Sequence, residues 1–212
     1  MLSEADLRSR YKDRLPVLEQ VRQDLAIETS EILAEVPHID RISYRVKSVD
    51  RFVEKVRGKA TNSVYNEPLR EVEDQIAGRV LVLFRSDLAV VMDAICNEFT
   101  SVELRRKAPR TTEFGYESDH SIFVIPPQVM PSTWKNAPSA PATFELQVRT
   151  LFQHAWAEPQ HDLGYKNAKN LSEDSERELA WAAASAWGAD QALQRVAERL
   201  SLEPKIEPSS AT

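Results

Sequence analysis

Cysteine is nearly absent from this chain: Cys96 is the only one among 212 residues. An internal disulfide is therefore excluded, and so is a zinc site built on several thiolates. Cys96 lies in an apolar helical stretch, where a small core residue is expected rather than a nucleophile. Long hydrophobic runs are missing as well. No stretch approaches the roughly 20 apolar residues that cross a bilayer. The opening MLSEADLRSRYKDR also lacks the apolar segment of a secretion signal. The expectation is a soluble, cytoplasmic protein with no membrane partner. Positive charge is in deficit, the net charge being −6. That argues against broad attachment to nucleic acid, while leaving a local basic groove open. No internal repeat is found.

What is present is enough chain for one good core and a mixture of helical and strand periods. Leu7, Leu18, Val21, Leu25, Ile32 and Leu33 predict a helical region over Ser3 to Glu35, with Pro16 expected to divide or bend it. A strand is predicted near Ile42 to Val46, then a helix over Asp50 to Arg57 that ends toward Gly58. The run IAGRVLVLF predicts a buried strand and Asp87 to Phe99 a helix. Two further strands are predicted at Val102 to Arg106 and Ser121 to Ile125. The proline-rich PPQVMPSTWKNAPSAPA reads as a surface excursion. A last helix, Ser172 to Leu200, precedes a polar tail. This order predicts an α/β (α+β) architecture, a mixed sheet packed by helices. The expected divisions are a helical segment over 1–39, a central domain of strands and helices over 40–166, a helical segment over 167–203 and a disordered tail over 204–212.

The most informative stretch is ATFELQVRTLFQHAWAEPQHDLGYK, Ala142 to Lys166. Strict alternation over Phe144 to Arg149 puts Phe144, Leu146 and Val148 on a core face and Glu145, Gln147 and Arg149 together on the other. From Leu151 the period becomes helical, with Leu151, Phe152, Ala155 and Trp156 as an apolar stripe. His154, Glu158 and His161 come near one helical face, although Pro159 is expected to kink the helix before His161. Gln147, Arg149, Gln153 and His154 would form a polar wall beside Glu145. His154 and His161 have no third soft ligand in view, so a hydrogen-bonding or phosphate-facing His154 is preferred to a zinc ligand.

Other segments carry matching chemistry. Arg45 and Lys47 alternate on one side of a strand exit, and Lys55 lies two helical turns beyond Ser48. Asp74 precedes an apolar strand, so Asp74 and Glu145 are carboxylates from separate segments, as a phosphate-bridging Mg²⁺ would use. Strict alternation places Asp74 and Arg79 on opposite faces, and a bend near Gly78 would bring both to one site. Arg105, Arg106, Lys107 and Arg110 form a basic run that serves either as a solvated loop or as a phosphate contact. Tyr116, after Gly115, presents a ring suited to stacking on a base.

Four ordered segments, RVKSVDRFVEK, DQIAGR, GYESDH and ELQVRT with QHAWAE, resemble the synthetase domain of RelA/SpoT-type alarmone synthetases over roughly Ile42 to Lys166. The resemblance implies a nucleotidyltransferase-like fold and Mg²⁺-dependent transfer of pyrophosphate from ATP to the 3′-hydroxyl of GDP or GTP, giving (p)ppGpp. It implies that Arg45, Lys47, Lys55 and Arg79 hold the ATP phosphates. Asp74 and Glu145 would be the catalytic and magnesium-binding carboxylates, and Glu145 would be placed to accept the hydroxyl proton. Tyr116, His120, Arg105, Gln147, Arg149 and His154 would serve the acceptor nucleotide. The chain is similar to the small single-domain members, without the hydrolase domain of the bifunctional enzymes.

Departures from the family pattern point to a second reading. The usual Asp-x-x-Gly-x-Arg becomes Asp74-Gln-Ile-Ala77-Gly78-Arg79, with the glycine moved by one. Phe114 and Thr112 stand where the family commonly has an asparagine and a lysine, which removes polar contacts to the acceptor. The alternatives are therefore a toxin-like enzyme acting on adenosine nucleotides or the tRNA 3′ end, and a silent nucleotide-binding protein. The terminal helices, with Trp181 and Trp187, would either pack on the domain or mediate homo-oligomerisation.

Overall fold

In the computed structural model, which describes residues 3–58, 65–105, 119–134, 140–160, 163 and 172–202, the chain opens with α1 (Glu4–Ile32). Ser3 starts this helix by accepting a hydrogen bond from the Asp6 amide. Leu7, Tyr11, Arg14, Leu18, Val21, Leu25 and Thr29 recur every three or four residues and are buried along one face. Pro16 does not divide the helix, contrary to expectation. It lies on the exposed side, where water can satisfy the carbonyl left without a partner, and the buried stripe continues past it on both sides.

The remaining elements are β1 (Ile39–Val46), α2 (Val49–Arg57), α3 (Pro68–Glu71), β2 (Ile76–Val82), α4 (Arg85–Glu98), β3 (Ser101–Arg105), β4 (Asp119–Val124), β5 (Thr143–Thr150), α5 (Leu151–Gln160) and α6 (Glu173–Arg199). The five strands form one sheet in the order β1-β2-β5-β4-β3. β2 and β5 are parallel, and the other pairs are antiparallel. The expected mixed sheet packed by helices is thus the fold. No helix among the described residues is long and apolar enough to cross a membrane.

Register divides the sheet into two chemically distinct faces, because residues directly opposite each other point the same way. On the core face, Tyr44 pairs with Gly78 and Gly78 with Leu146, while Val80 pairs with Val148 and Phe123 with Phe144. Phe144 packs edge-on against Phe99, the residue that caps the end of α4, with centroids 5.4 Å apart, and is stacked on Phe123 at 5.7 Å. The Tyr44 and Thr29 hydroxyls are 2.7 Å apart, which fastens α1 to the sheet. β2 keeps its register through Gly78, so the bend expected there is absent. The only irregularity in its pairing with β1 falls between Ile39 and Arg41.

The β5–α5 junction departs from its simple periodic reading. Ala155 is exposed, whereas Gln153 is buried. The Thr150 amide donates to Gln153 Oε1 at 2.8 Å, and the Gln153 amide donates to Thr150 Oγ1 at 3.1 Å. Gln153 therefore caps the start of α5 instead of completing the polar wall. Thr150 Oγ1 donates in turn to buried Asp190 Oδ2 at 2.5 Å, tying α6 to the same junction. Thr150→Val should lose about 1–3 kcal/mol by stranding these buried partners, seen as a lower Tm that Thr150→Ser largely restores; an unchanged Tm would refute the anchoring role. α6 turns Ala183, Asp190, Gln194 and Ala197 inward, while Trp181 is 74% exposed and so does not pack on the fold.

Candidate active site

The second face of the sheet is polar, and it is not simply solvated. Arg45 pairs with Ala77 and Ala77 with Glu145; one step along, Ser43 pairs with Arg79, Arg79 with Gln147 and Gln147 with His120. A further step pairs Arg41 with Leu81 and Leu81 with Arg149. The backbone of Arg105 pairs with His120, extending the middle row onto β3. These rows span about 13 Å along the strands and about 19 Å across five of them, from the usual spacings. Gln147 and Arg149 are buried, which an ordinary solvent-facing strand side would not require.

Asp74 and Glu145 mark one end of this face. Asp74 sits just ahead of β2, so the alternation that separated it from Arg79 does not govern it. Its carboxylate lies 2.8 Å from Lys47 Nζ and 3.0 Å from Lys55 Nζ. Lys47 leaves the end of β1, and Lys55 lies in the last turn of α2. Ser48 starts that helix by accepting from the Arg51 amide. The spacing of the two lysines therefore follows from a strand exit followed at once by a capped helix.

Glu145 is held on the neighbouring strand. Gln147 Nε2 donates to its Oε1, and His120 Nδ1 lies 3.2 Å from the same oxygen. Burial pushes the carboxyl up, but the hydrogen bond and charge of His120, the hydrogen bond from Gln147 and the charge of Lys55 outweigh it. The result is about 2, below the ordinary 4.5. Such a carboxylate stays ionised at neutral pH and is a weak proton acceptor. In this state its chemistry suits charge stabilisation or metal binding.

Cations dominate the other end. Arg79 Nη2 pairs with Glu158 Oε1 at 2.8 Å, and His154 Nδ1 is 3.6 Å from the same oxygen. Burial, reinforced by the like charge of Arg79, pushes the Arg149 guanidinium down to about 10 against the pull of Glu158 and Glu145. Burial first, then Arg79, lowers His154 as well. Nε of Arg79 and Nε of Arg149 are buried without a hydrogen-bond partner among the described residues. Unpaired buried donors in a cationic cluster are suited to an anion such as phosphate. A cleft lined by Ser43, Arg45, Ala77, Arg79, Gln147 and Glu158 opens beside this cationic end.

The structure thus brings Lys47, Lys55 and Asp74 together, and Glu145 with His120 and Gln147. It gathers Arg79, Arg149 and His154 around Glu158, so Arg79 meets a different carboxylate from the two lysines. Sequence periodicity had placed Glu158 on the His154 face, but nothing local revealed Arg79 as its partner. Tyr116, Arg106, Lys107, Arg110 and His161 lie outside the described residues, as do Phe114 and Thr112. For Arg105 only the backbone position is described.

Two oxygen-donor carboxylates share Lys55 as a common electrostatic neighbour, and this donor set fits Mg²⁺, which takes one or two carboxylates and completes its shell with water and phosphate. Carboxylates and cations on the open side of a mixed sheet define an α/β enzyme site of the phosphoryl-transfer class. Comparison with known proteins narrows the class. Residues 44–170 match the family described as a region found in RelA / SpoT proteins. The GTP pyrophosphokinase YjbM of Bacillus subtilis (strain 168) is 31% identical over 163 residues, covering 74% of this chain and 72% of that protein. The chain belongs to the RelA/SpoT family, and it is a pyrophosphokinase.

Solved structures agree on the fold. A GTP pyrophosphokinase family protein from Streptococcus pneumoniae matches with a TM-score of 0.76 at 21% identity, covering 94% of this chain and 98% of that one. The small alarmone synthetase 1 of Bacillus subtilis bound to its product pppGpp matches with a TM-score of 0.71 at 24% identity, covering 90% and 97%. The same synthetase bound to AMPCPP gives a TM-score of 0.68 at 21% identity, covering 91% and 98%.

Proposed function

We propose that this protein transfers the β,γ-pyrophosphate of ATP to the 3′-hydroxyl of GDP or GTP, forming (p)ppGpp. The observation that carries this reading is the Lys47–Asp74–Lys55 cluster, set on the same end of the polar face as Glu145. In the reaction the bond between the α-phosphate and the bridging oxygen stays with AMP as leaving group. The β-phosphorus gains a bond to the ribose 3′-oxygen and loses its bond to the bridging oxygen, and the hydroxyl proton departs to solvent or a nearby base. Lys47 and Lys55 would neutralise donor phosphates, and Arg45 and Arg79 would line the cleft that receives the donor. Gln147, Arg149, His120 and His154 would hold the acceptor, with Arg105 and Tyr116 completing that side.

Asp74 and Glu145 would hold Mg²⁺, which when bound supplies Lewis-acid stabilisation of the phosphate oxygens. Lys47 and Lys55 would hold Asp74 in place through their ion pairs, while Gln147 and His120 would hold Glu145, which stays ionised. The names of the relatives, a GTP pyrophosphokinase and a synthetase whose product is pppGpp, support a guanosine acceptor.

Phe114 and Thr112 favour a second reading, in which an adenosine nucleotide or the tRNA 3′ end takes the pyrophosphate, since these side chains offer less hydrogen bonding to a guanine nucleotide. Incubation with Mg²⁺ and γ-labelled ATP against GDP, GTP, AMP, ADP, ATP and tRNA, each alone, decides between them. Label is expected in guanosine tetra- or pentaphosphate. Label confined to adenosine products or tRNA would overturn the guanosine assignment.

A further inference from the structure

We propose that Tyr11, on α1, is a positioning residue for the donor site, fixing Lys47 through its hydroxyl and Lys55 through its ring. The inference rests on the reading of these lysines as donor-phosphate ligands. Tyr11 is fully buried, and its hydroxyl donates to the Lys47 carbonyl at 2.9 Å. Its ring lies parallel to that of Phe52, with centroids 3.9 Å apart and planes 7° apart. Phe52 is itself fully buried and stands on α2 one turn before Lys55. One side chain therefore touches both segments whose lysines meet on Asp74.

The same face of α1 also steadies the segment that presents Asp74. The Lys47 amide donates to the Gln75 carbonyl at 2.8 Å. Buried Gln75 donates from Nε2 to the carbonyls of Leu69 and Val72 at 2.9 and 3.0 Å. Arg14, one turn beyond Tyr11, donates from Nη1 to the Leu69 carbonyl at 2.8 Å. A buried phenol needs some hydrogen-bond partner, and a core role alone would be met by any carbonyl nearby. Here the partner is the backbone of a lysine at the site, and the ring rests on the helix that carries the other. Small displacements of positioning groups have large effects on bound phosphates, so a residue that never meets ATP acts through the lysines.

The test is calorimetric titration of Tyr11→Phe with α,β-methylene-ATP in magnesium buffer, with Tm measured in parallel. Removing the hydroxyl while keeping the ring should weaken analogue binding by roughly three- to tenfold, the worth of one ordinary hydrogen bond. Phe52→Leu, which leaves the hydroxyl bond in place, should weaken it to a similar degree. Ile95→Val, in the α4 core and fully buried, measures what destabilisation alone does and should leave the affinity within twofold of wild type. Equal effects of Tyr11→Phe and Ile95→Val, or no effect of Tyr11→Phe, would overturn the proposal. Lys47→Ala separates the two levels: unchanged analogue binding there would sink the donor-site reading itself, whereas lost binding there beside a neutral Tyr11→Phe would sink the positioning role alone.

Discussion

Glu145→Gln is expected to lower pyrophosphate transfer by roughly 10²–10³-fold or more, the scale on which losing one transition-state electrostatic contact is felt, with the fold retained. The amide keeps the volume and still accepts from Gln147, so the substitution isolates the charge. Asp74→Asn should act similarly, since it leaves Lys47 and Lys55 facing each other across a neutral side chain. Single-turnover assays with circular dichroism of each variant decide the matter. Transfer within a few-fold of wild type in either would remove that carboxylate from the proposed metal site.

The same variant carries a pH signature. Glu145 has a folded value of about 2 against an ordinary 4.5, so its contribution to stability is present above about 4.5 and is lost as pH falls toward about 2. The separation corresponds to roughly 3 kcal/mol. Wild-type protein should therefore lose its stability advantage over Glu145→Gln as Tm is followed from neutral pH down through this window. A constant Tm difference across it would mean that His120, Gln147 and Lys55 do not depress the carboxyl.

Gly78→Ala is the second large expected effect, and it concerns the core. A Cβ at this position would lie 2.5 Å from the Tyr44 ring and 2.7 Å from Leu146 Cδ1. Leu146 can shift its terminal carbon, but the Tyr44 ring is tethered through its hydroxyl to Thr29. Overpacking of this kind typically costs about 1–3 kcal/mol, and the tethered ring places Gly78→Ala at the upper end. Thermal unfolding should show a Tm loss that Tyr44→Leu partly reverses in the double variant. No loss of Tm would mean the sheet accommodates the methyl freely. The result bears on the one-residue shift of glycine in DQIAGR: here the small residue serves Tyr44 on the core face, and Ala77 occupies the place on the polar side.

The polar face was legible to the extent that its periodicity was local. Alternation over Phe144 to Arg149 correctly set Glu145, Gln147 and Arg149 together, because a strand's period of two needs no knowledge of its neighbours. Burial of Gln147 and Arg149 was not legible, since it depends on what lies across the strand and above it. The same limit explains Pro16. A helical breaker rule counts the lost backbone bond, whereas the seven buried residues of α1 pack against other elements that the rule does not see. Gln153 was misread in the opposite sense: its spacing matched the polar wall, yet Thr150, three residues away, draws it into a cap.

By itself the sequence determined the order and type of the elements apart from the one-turn α3, because hydrophobic period and helix caps act over a few residues. It also determined the family, because four motifs recur in order, and the match over residues 44–170 bears that out. Only the tertiary structure decided which charges meet: Lys47 and Lys55 on Asp74, Arg79 on Glu158, and His120 beside Glu145. It alone brought Tyr11 of α1 to the backbone of Lys47. These contacts join residues far apart in the chain, and ion-pair and hydrogen-bond energies fall off within a few ångströms. Strand order, register and helix docking therefore fix them.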